Sequence, residues 1–587
     1  MYRFYRFYVQ FNNDKFYLDV VCFSRSICHQ SFEASNTVLA ASFKMLRFLI
    51  FYLYTSFVLA AEENSEKFDE EHDNDVYNLD FAFIEVRNQS TFIDRTRFIN
   101  HFLERKELMV IHAPPRFGKT SILNMLEMFF EIPVDEAGNV IQSYIFQKRR
   151  FFDILRSCEK DKRFCAAFIS SHPVMFLDFA ELETADLESF CASFRSIMCN
   201  LFGDHEYLGE SSKLSQKERD IYDEERHPEG HPLLRNGTYA MGGLHLSRLL
   251  HNHFNRSCMV LIDNYDAPAA KLIVEGNKDD SISQIFKILE DLMTGLFKDN
   301  KYVSHSLITG VSSIGSVYTQ HLNSLKYYSI FENATLSEFY GLKLKDVETL
   351  LKRCDLHALL EESQRTYEGY HSLSTNEKMY AIHSLLKFME KRGKVMGNRS
   401  LLKFMEEKGR VIGLNEPIPI LLQLTELFKY SKFGKTIEKT LEKTTSIDRK
   451  LSFFTEQDIK NLHFLVSKPK SKVKKSVATE HLMLQFLQEN GCYTIISKND
   501  DVCRADLIVP NLEIKKLLQH HLYTECFFRE KFKVTKKKLK NYVGSIIKLD
   551  NTKKSFQGIL SAIMTLLKKF YPRQNTNFEH LFTLSQN

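Results

Sequence analysis

LMVIHAPPRFGKTSILNML, residues Leu108–Leu126, is the stretch whose reading decides the fold. Leu108–His112 is an uncharged, nearly continuous apolar run, which suits a strand covered on both faces. The residues from Lys119 to Phe130 alternate apolar and polar side chains at helical spacing. Between them lies a tight loop with two prolines, closing on Gly-Lys-Thr. Strand, loop and helix in this order turn backbone N–H groups toward an anion at a helix N-terminus. In that arrangement Gly118 lets the chain approach phosphates without a Cβ clash. Lys119 supplies the point charge for β and γ oxygens, Thr120 offers a hydroxyl to Mg²⁺, and Ser121 donates near the α phosphate. Pro114 and Pro115 have no N–H to give. The cradle therefore begins at Arg116 and Phe117, with the Arg116 guanidinium as a supplementary charge. The general pattern has glycine at the first loop position, where this chain has Ala113.

Outward from that loop, short apolar runs alternate with longer amphipathic ones. Strands are expected at Leu108–His112, Val174–Phe179, Met259–Asp263 and Val303–Ile308, and helices at Lys119–Phe130, Asp186–Phe202, Leu244–Phe254 and Ile282–Phe297. The expected fold class is α/β, a P-loop NTPase with a parallel sheet covered by helices. SCMVLIDNYDAP ends its apolar run on Asp263, expected at the tip of a strand beside the phosphate strand, where a carboxylate supports Mg²⁺. Beyond Asp346 the strand signals fade, so a mostly helical C-terminal region should follow. Within it SLLKFMEKRGKVMGN (Ser384–Asn398) recurs as SLLKFMEEKGRVIGL (Ser400–Leu414), a local duplication offset by sixteen residues. Two copies are too few for a solenoid.

The organisation read from these signals is a doubtful N-terminal extension (1–44), a signal peptide or anchor (45–61), an acidic segment (62–78) and the NTPase domain (79–347). A helical region (348–450) and a basic helical region (451–587) complete it. At 587 residues the chain has room for two or three cores. A net charge of +5 does not imply a nucleic-acid partner. The lysine runs Lys468–Lys475 and Lys531–Lys540 read first as solvated helix faces. From Met45, one basic residue, an apolar run Phe48–Ala61 and small residues before acidic sequence have the layout of a secretory signal peptide, with translation starting at Met45. An uncleaved type II membrane anchor is the alternative. Five glycosylation sequons, at Asn88, Asn236, Asn255, Asn333 and Asn398, are compatible with secretion. Among the cysteines, Cys158 with Cys165, Cys191 with Cys199, and Cys492 with Cys503 are close enough for local disulfides, and no spacing suits a metal.

Several collinear motifs resemble one family, the AAA-ATPase-like proteins, whose bacterial members often carry a C-terminal nuclease domain of the PD-(D/E)xK type. The resemblance spans Phe81 to Leu518. It is carried by TFIDRT (Thr91–Thr96), PPRFGKT (Pro114–Thr120), PVMFLDF (Pro173–Phe179), LIDNYDAP (Leu261–Pro268) and LITGVSSIG (Leu307–Gly315). LSEFYGL, YEGYH and IVPNLEI (Ile508–Ile514) follow in the family's order. It implies ATP and Mg²⁺ as ligands, and it makes Ala113 ordinary. Two departures matter. The family's glutamate after the metal-side Asp is Asn264, which can orient water but cannot take its proton. The family's sensor arginine is Ser313, which removes a charge from the γ phosphate's surroundings. Asp266, two positions on, is the nearest substitute. NTNFEHLFTLSQN resembles only the lead-in to that nuclease domain, with no G-x-D followed by E-x-K after it, so nuclease activity is not expected. These features point to an ATP-binding protein with weak or absent hydrolysis and an unspecified protein partner. The alternative is a secreted interaction protein that keeps the fold without using nucleotide.

Overall fold

The computed structural model describes residues 3–11, 14–22, 91–159, 162–226, 241–392, 432–450, 453–467 and 477–522. The chain divides into two compact units. One combines residues 1–69 and 528–587, and its described part is an antiparallel hairpin of β1 (Arg3–Phe11) and β2 (Asp14–Cys22). The other runs from Glu70 to Phe527. The apolar run 45–61, the acidic segment 62–78, most of the duplication and both lysine runs lie outside the described residues. Among the described residues no helix is long and apolar enough to cross a membrane.

The larger unit is built on a five-stranded parallel sheet of β3 (Leu108–His112), β4 (Val174–Asp178), β5 (Cys258–Asp263), β6 (Val303–Gly310) and β7 (Leu325–Ser329), ordered β4-β5-β6-β3-β7. Every residue of β5 is buried, so its unbroken apolar run needs no polar alternation. The covering helices include α1 (Arg97–Arg105), α2 (Lys119–Phe130), α3 (Leu187–Gly203), α4 (Met241–Phe254), α5 (Ala267–Val274) and α6 (Ile282–Phe297). In α6, Ile285, Leu289, Leu292 and Leu296 recur at three and four residues and are all buried, which fixes the helix on the sheet.

Two expectations need correction. The strand ending in Asp263 is not beside the phosphate strand, because β6 pairs with both and separates them. Strand β7 was also unforeseen: its LKYYS sequence carries a lysine and is only partly buried, so it lacks the continuous apolar signal of a central strand.

The region after Asp346 is mostly helical, with α7 (Leu344–Arg353), α8 (Leu360–Tyr367), α9 (Ile382–Lys391), α10 (Lys432–Thr440), α11 (Glu456–Ser467), α12 (Val477–Glu489) and α13 (Leu512–Leu522). It also contains strands that the sequence pattern did not reveal. β8 (Tyr370–His371) pairs with β9 (Lys378–Met379), and β10 (Thr445–Asp448), β11 (Thr494–Asn499) and β12 (Arg504–Ile508) form an antiparallel sheet. Leu342, Val347, Leu351, Tyr380, Leu385 and Met389 form one buried cluster here. Of the close cysteine pairs, Cys158 and Cys165 are bonded to each other, whereas Cys199, Cys492 and Cys503 are free thiols.

Candidate functional site

The loop Ala113–Gly118 sits at the carboxyl end of β3, and its shape comes from two residues in the left-handed region. Arg116 has φ +74° and Gly118 has φ +90°. Together they turn the chain so that α2 starts at Lys119. A Cβ on Gly118 would stand 3.0 Å from Ile382 Cδ1, so glycine satisfies both the dihedral and the space. Lys119 is buried, and its ammonium donates to the carbonyls of Ala113 (2.8 Å) and Pro114 (3.0 Å). That keeps the charge inside the loop, with the third ammonium proton free of these two bonds. Burial pushes the Lys119 pKa down to about 8, opposed by the carboxylates of Asp263 and Asp266. His112, one residue before the loop, is driven down to about 4 by burial and by Lys119, so it stays neutral beside that cation. Its Nε2 shares a 2.6 Å hydrogen bond with the Tyr265 hydroxyl.

Asp263 lies at the end of β5 and is buried. Thr120 Oγ1 donates to its Oδ2 at 2.5 Å, while Thr309 Oγ1 (2.6 Å) and the Asn264 N–H (2.9 Å) donate to Oδ1. The loop's hydroxyl and the strand-tip carboxylate therefore meet, although β6 lies between their strands. Thr309, on that intervening strand, holds the other oxygen of the carboxylate. Among the described residues there is no group of three His, Cys, Asp or Glu side chains able to hold a metal alone. A Mg²⁺ ion usually keeps several waters and binds one or two carboxylates plus substrate phosphates, and the Thr120–Asp263 pair fits that division. The buried Tyr340 hydroxyl has no hydrogen-bond partner, and burial and then Asp263 raise its pKa. An orphaned phenol beside that carboxylate also fits a site that receives a polar ligand.

The remaining residues singled out from the sequence lie nearby in different roles. Asn264 has φ +51°, and its amide donates to Asp178 Oδ1 at 2.9 Å. Asp266 is buried and accepts the N–H groups of Val311 (3.0 Å) and Ser312 (2.7 Å), bracing the turn after β6. Burial pushes its pKa up to about 6 despite those bonds and Lys119. Both of its oxygens are thus engaged, which weakens its case as a substitute for the missing glutamate. Ser313 is turned toward Glu489 at the end of α12, which receives the Ser313 N–H (2.9 Å) and hydroxyl (2.7 Å), and also the Ser312 hydroxyl. Arg116 faces Glu513 on α13, with its guanidinium 3.9 Å from the carboxylate. Phe117 is wholly buried against Phe331 and Tyr370. Its side chain anchors the loop, leaving its backbone as the only part able to face a ligand. Ser121, on the first turn of α2, is exposed.

Sequence reasoning missed two parts of this site. Asp178 ends β4 in register with Asp263, and it is raised above the usual carboxylate range by burial first and by Asp263 second. Its Oδ1 takes the Asn264 amide and the Ala180 N–H (2.8 Å). The second part is the brace from the C-terminal region. The Gly341 N–H donates to Phe117 O and the Ile382 N–H to Arg116 O, each at 3.0 Å. Asp178 was visible as the Asp of PVMFLDF; the brace left no local signal because it joins residues over two hundred positions apart.

Residues 78–318 match the family model AAA-ATPase_like, described as a predicted AAA-ATPase. No curated protein matches the chain.

Proposed function

With an AAA-ATPase-like domain over residues 78–318 as the premise, we propose that this chain binds ATP with Mg²⁺ and hydrolyses it slowly. The observation that carries this reading is the 2.5 Å contact of Thr120 with Asp263, next to a lysine held inside its own loop. Lys119 would neutralise the β and γ oxygens. Thr120 would face the metal, with Asp263 behind it, and bound Mg²⁺ would offset charge building on the phosphate oxygens. Slow turnover follows from what is missing. Asn264 spends its amide on Asp178 and cannot accept a proton, and Ser313 has no charge to offer the γ phosphate. Among the described residues, Asp178 stands in register with Asp263, and its raised pKa favours taking a proton from water.

A reading without nucleotide draws support from Arg116, which is engaged with Glu513. Titration of the purified chain with a fluorescent ATP analogue separates the two. Binding that needs Mg²⁺ and is lost in Lys119→Ala supports the first, and its absence leaves the second. Given binding, Asp178→Asn should cut phosphate release by roughly a hundredfold or more while leaving affinity within about threefold. Unchanged release would remove Asp178 from the reaction.

Passage through the secretory pathway belongs to the same proposal. It rests on the apolar run Phe48–Ala61 and on the Cys158–Cys165 bond, which suits an oxidising compartment. A mature N-terminus just after Ala61, read by mass spectrometry of the expressed protein, is the expected result. One retaining residues 46–61 would instead make the segment an anchor.

A further inference from the structure

A cavity of about 300 Å³ opens at the carboxyl ends of β3, β6 and β7, walled on its other side by the C-terminal region. Open α/β sheets bind ligands at that edge, and the volume falls at the lower end of small-molecule sites, which span about 300–1,000 Å³. Its wall includes His112 and Ser313, yet none of the residues of the Ala113–Ser121 loop.

Two of the polar lining side chains are mostly buried. Gln488 is 7% exposed and lines the cavity. Arg449 makes one long contact, Nη1 to Glu332 at 3.4 Å, and its buried Nε has none. Burying a guanidinium with its bonds unmade is unfavourable, so Arg449 calls for an acceptor that the protein does not supply. The charges, by contrast, are balanced. Glu332 holds Lys498 at 2.9 Å as well as Arg449, Lys450 is paired with Asp458, and Glu489 is satisfied by Ser312 and Ser313. An occupant therefore needs no net charge. Aromatic rings complete the wall: Tyr327 lies 5.2 Å from Phe453, which is 42% exposed at the rim and offers a free face for stacking.

We propose that this cavity binds a neutral planar heterocycle with an acceptor edge, guanine being the type, at a site separate from the phosphate loop. Arg449 would read a carbonyl and ring nitrogen side by side, the pairing that guanidinium groups make with guanine O6 and N7. Gln488 would meet a second polar edge, and Phe453 would cover one face.

The inference does not depend on ATP binding, and titration calorimetry of the full chain with guanosine and adenosine tests it. Guanosine should saturate a single site on the order of tenfold more tightly than adenosine, whose exocyclic amine puts a donor where Arg449 needs an acceptor. Gln488→Leu should weaken guanosine by about fivefold or more, the cost of one lost hydrogen bond. Should that variant melt early by circular dichroism, Phe453→Ala decides instead, with a similar loss expected from lost stacking. Lys119→Ala should leave guanosine binding unchanged. No saturation at millimolar guanosine, equal affinity for both nucleosides, or loss of binding in Lys119→Ala or on adding ATP would each overturn the proposal.

Discussion

Replacing Lys119 by methionine should make this protein more stable at neutral pH while abolishing its hold on ATP. The lysine's pKa falls from 10.5 to about 8 because burial disfavours its charge. A basic group with a depressed folded-state pKa contributes stability that is complete above 10.5 and is lost as pH falls through 8. Across that 2.5-unit shift the charged form costs about 3 kcal/mol at pH 7, and about 1 kcal/mol at pH 9.5. Methionine fills the same volume without charge, but strips the donor from the Ala113 and Pro114 carbonyls, a loss of about 1 kcal/mol each. The variant should thus be about 1 kcal/mol more stable than the parent at pH 7 and about 1 kcal/mol less stable at pH 9.5. Urea denaturation of both proteins at the two pH values measures the difference directly, and groups titrating alike in both cancel. A stability difference that stays constant between pH 7 and 9.5, or moves the other way, would refute the reasoning about a desolvated lysine. Retained Mg²⁺-dependent binding of an ATP analogue would refute its proposed role.

Gly118→Ala should cost about 1–2 kcal/mol in chemical denaturation, from a side chain held at φ +90°. The flexible end of Ile382 should absorb the 3.0 Å approach, so a much larger loss would indicate a rigid brace. The same variant should weaken ATP binding, because its Cβ narrows the cradle; unchanged affinity would place the phosphates elsewhere. Glu489→Ala leaves the Ser313 N–H and two serine hydroxyls without their acceptor, and should destabilise the chain by about 2–3 kcal/mol. Faster hydrogen exchange in the turn after β6 is the accompanying signature; protection equal to the parent's would show that Asp266 alone holds that turn.

How much was legible beforehand depended on the range of the interaction. Helices Lys119–Phe130 and Ile282–Phe297 could be bounded from the sequence because their apolar spacing is local and strong. Four of the five strands of the parallel sheet were legible because each carries a short run of mostly apolar residues. Strand β7 was not, as an edge strand with a lysine looks like a loop until a neighbour supplies its hydrogen bonds. The short strands beyond Tyr370 were hidden by the surrounding helical pattern.

The sequence alone determined the chemistry available at the loop, because Gly118, Lys119 and Thr120 are consecutive and their backbone placement follows from a strand feeding a helix. It also determined that a parallel sheet would form. Only the tertiary structure decided the strand order that brings Thr120 and Thr309 to the two oxygens of Asp263, and Asp178 into register with Asp263. It alone assigned Asp266 and Ser313 to holding a turn, and Arg116 to Glu513. The physical reason is that a side chain's role is set by whichever donor, acceptor or charge reaches it first. For these residues the partner lies in a distant part of the chain, where no periodicity or spacing can point.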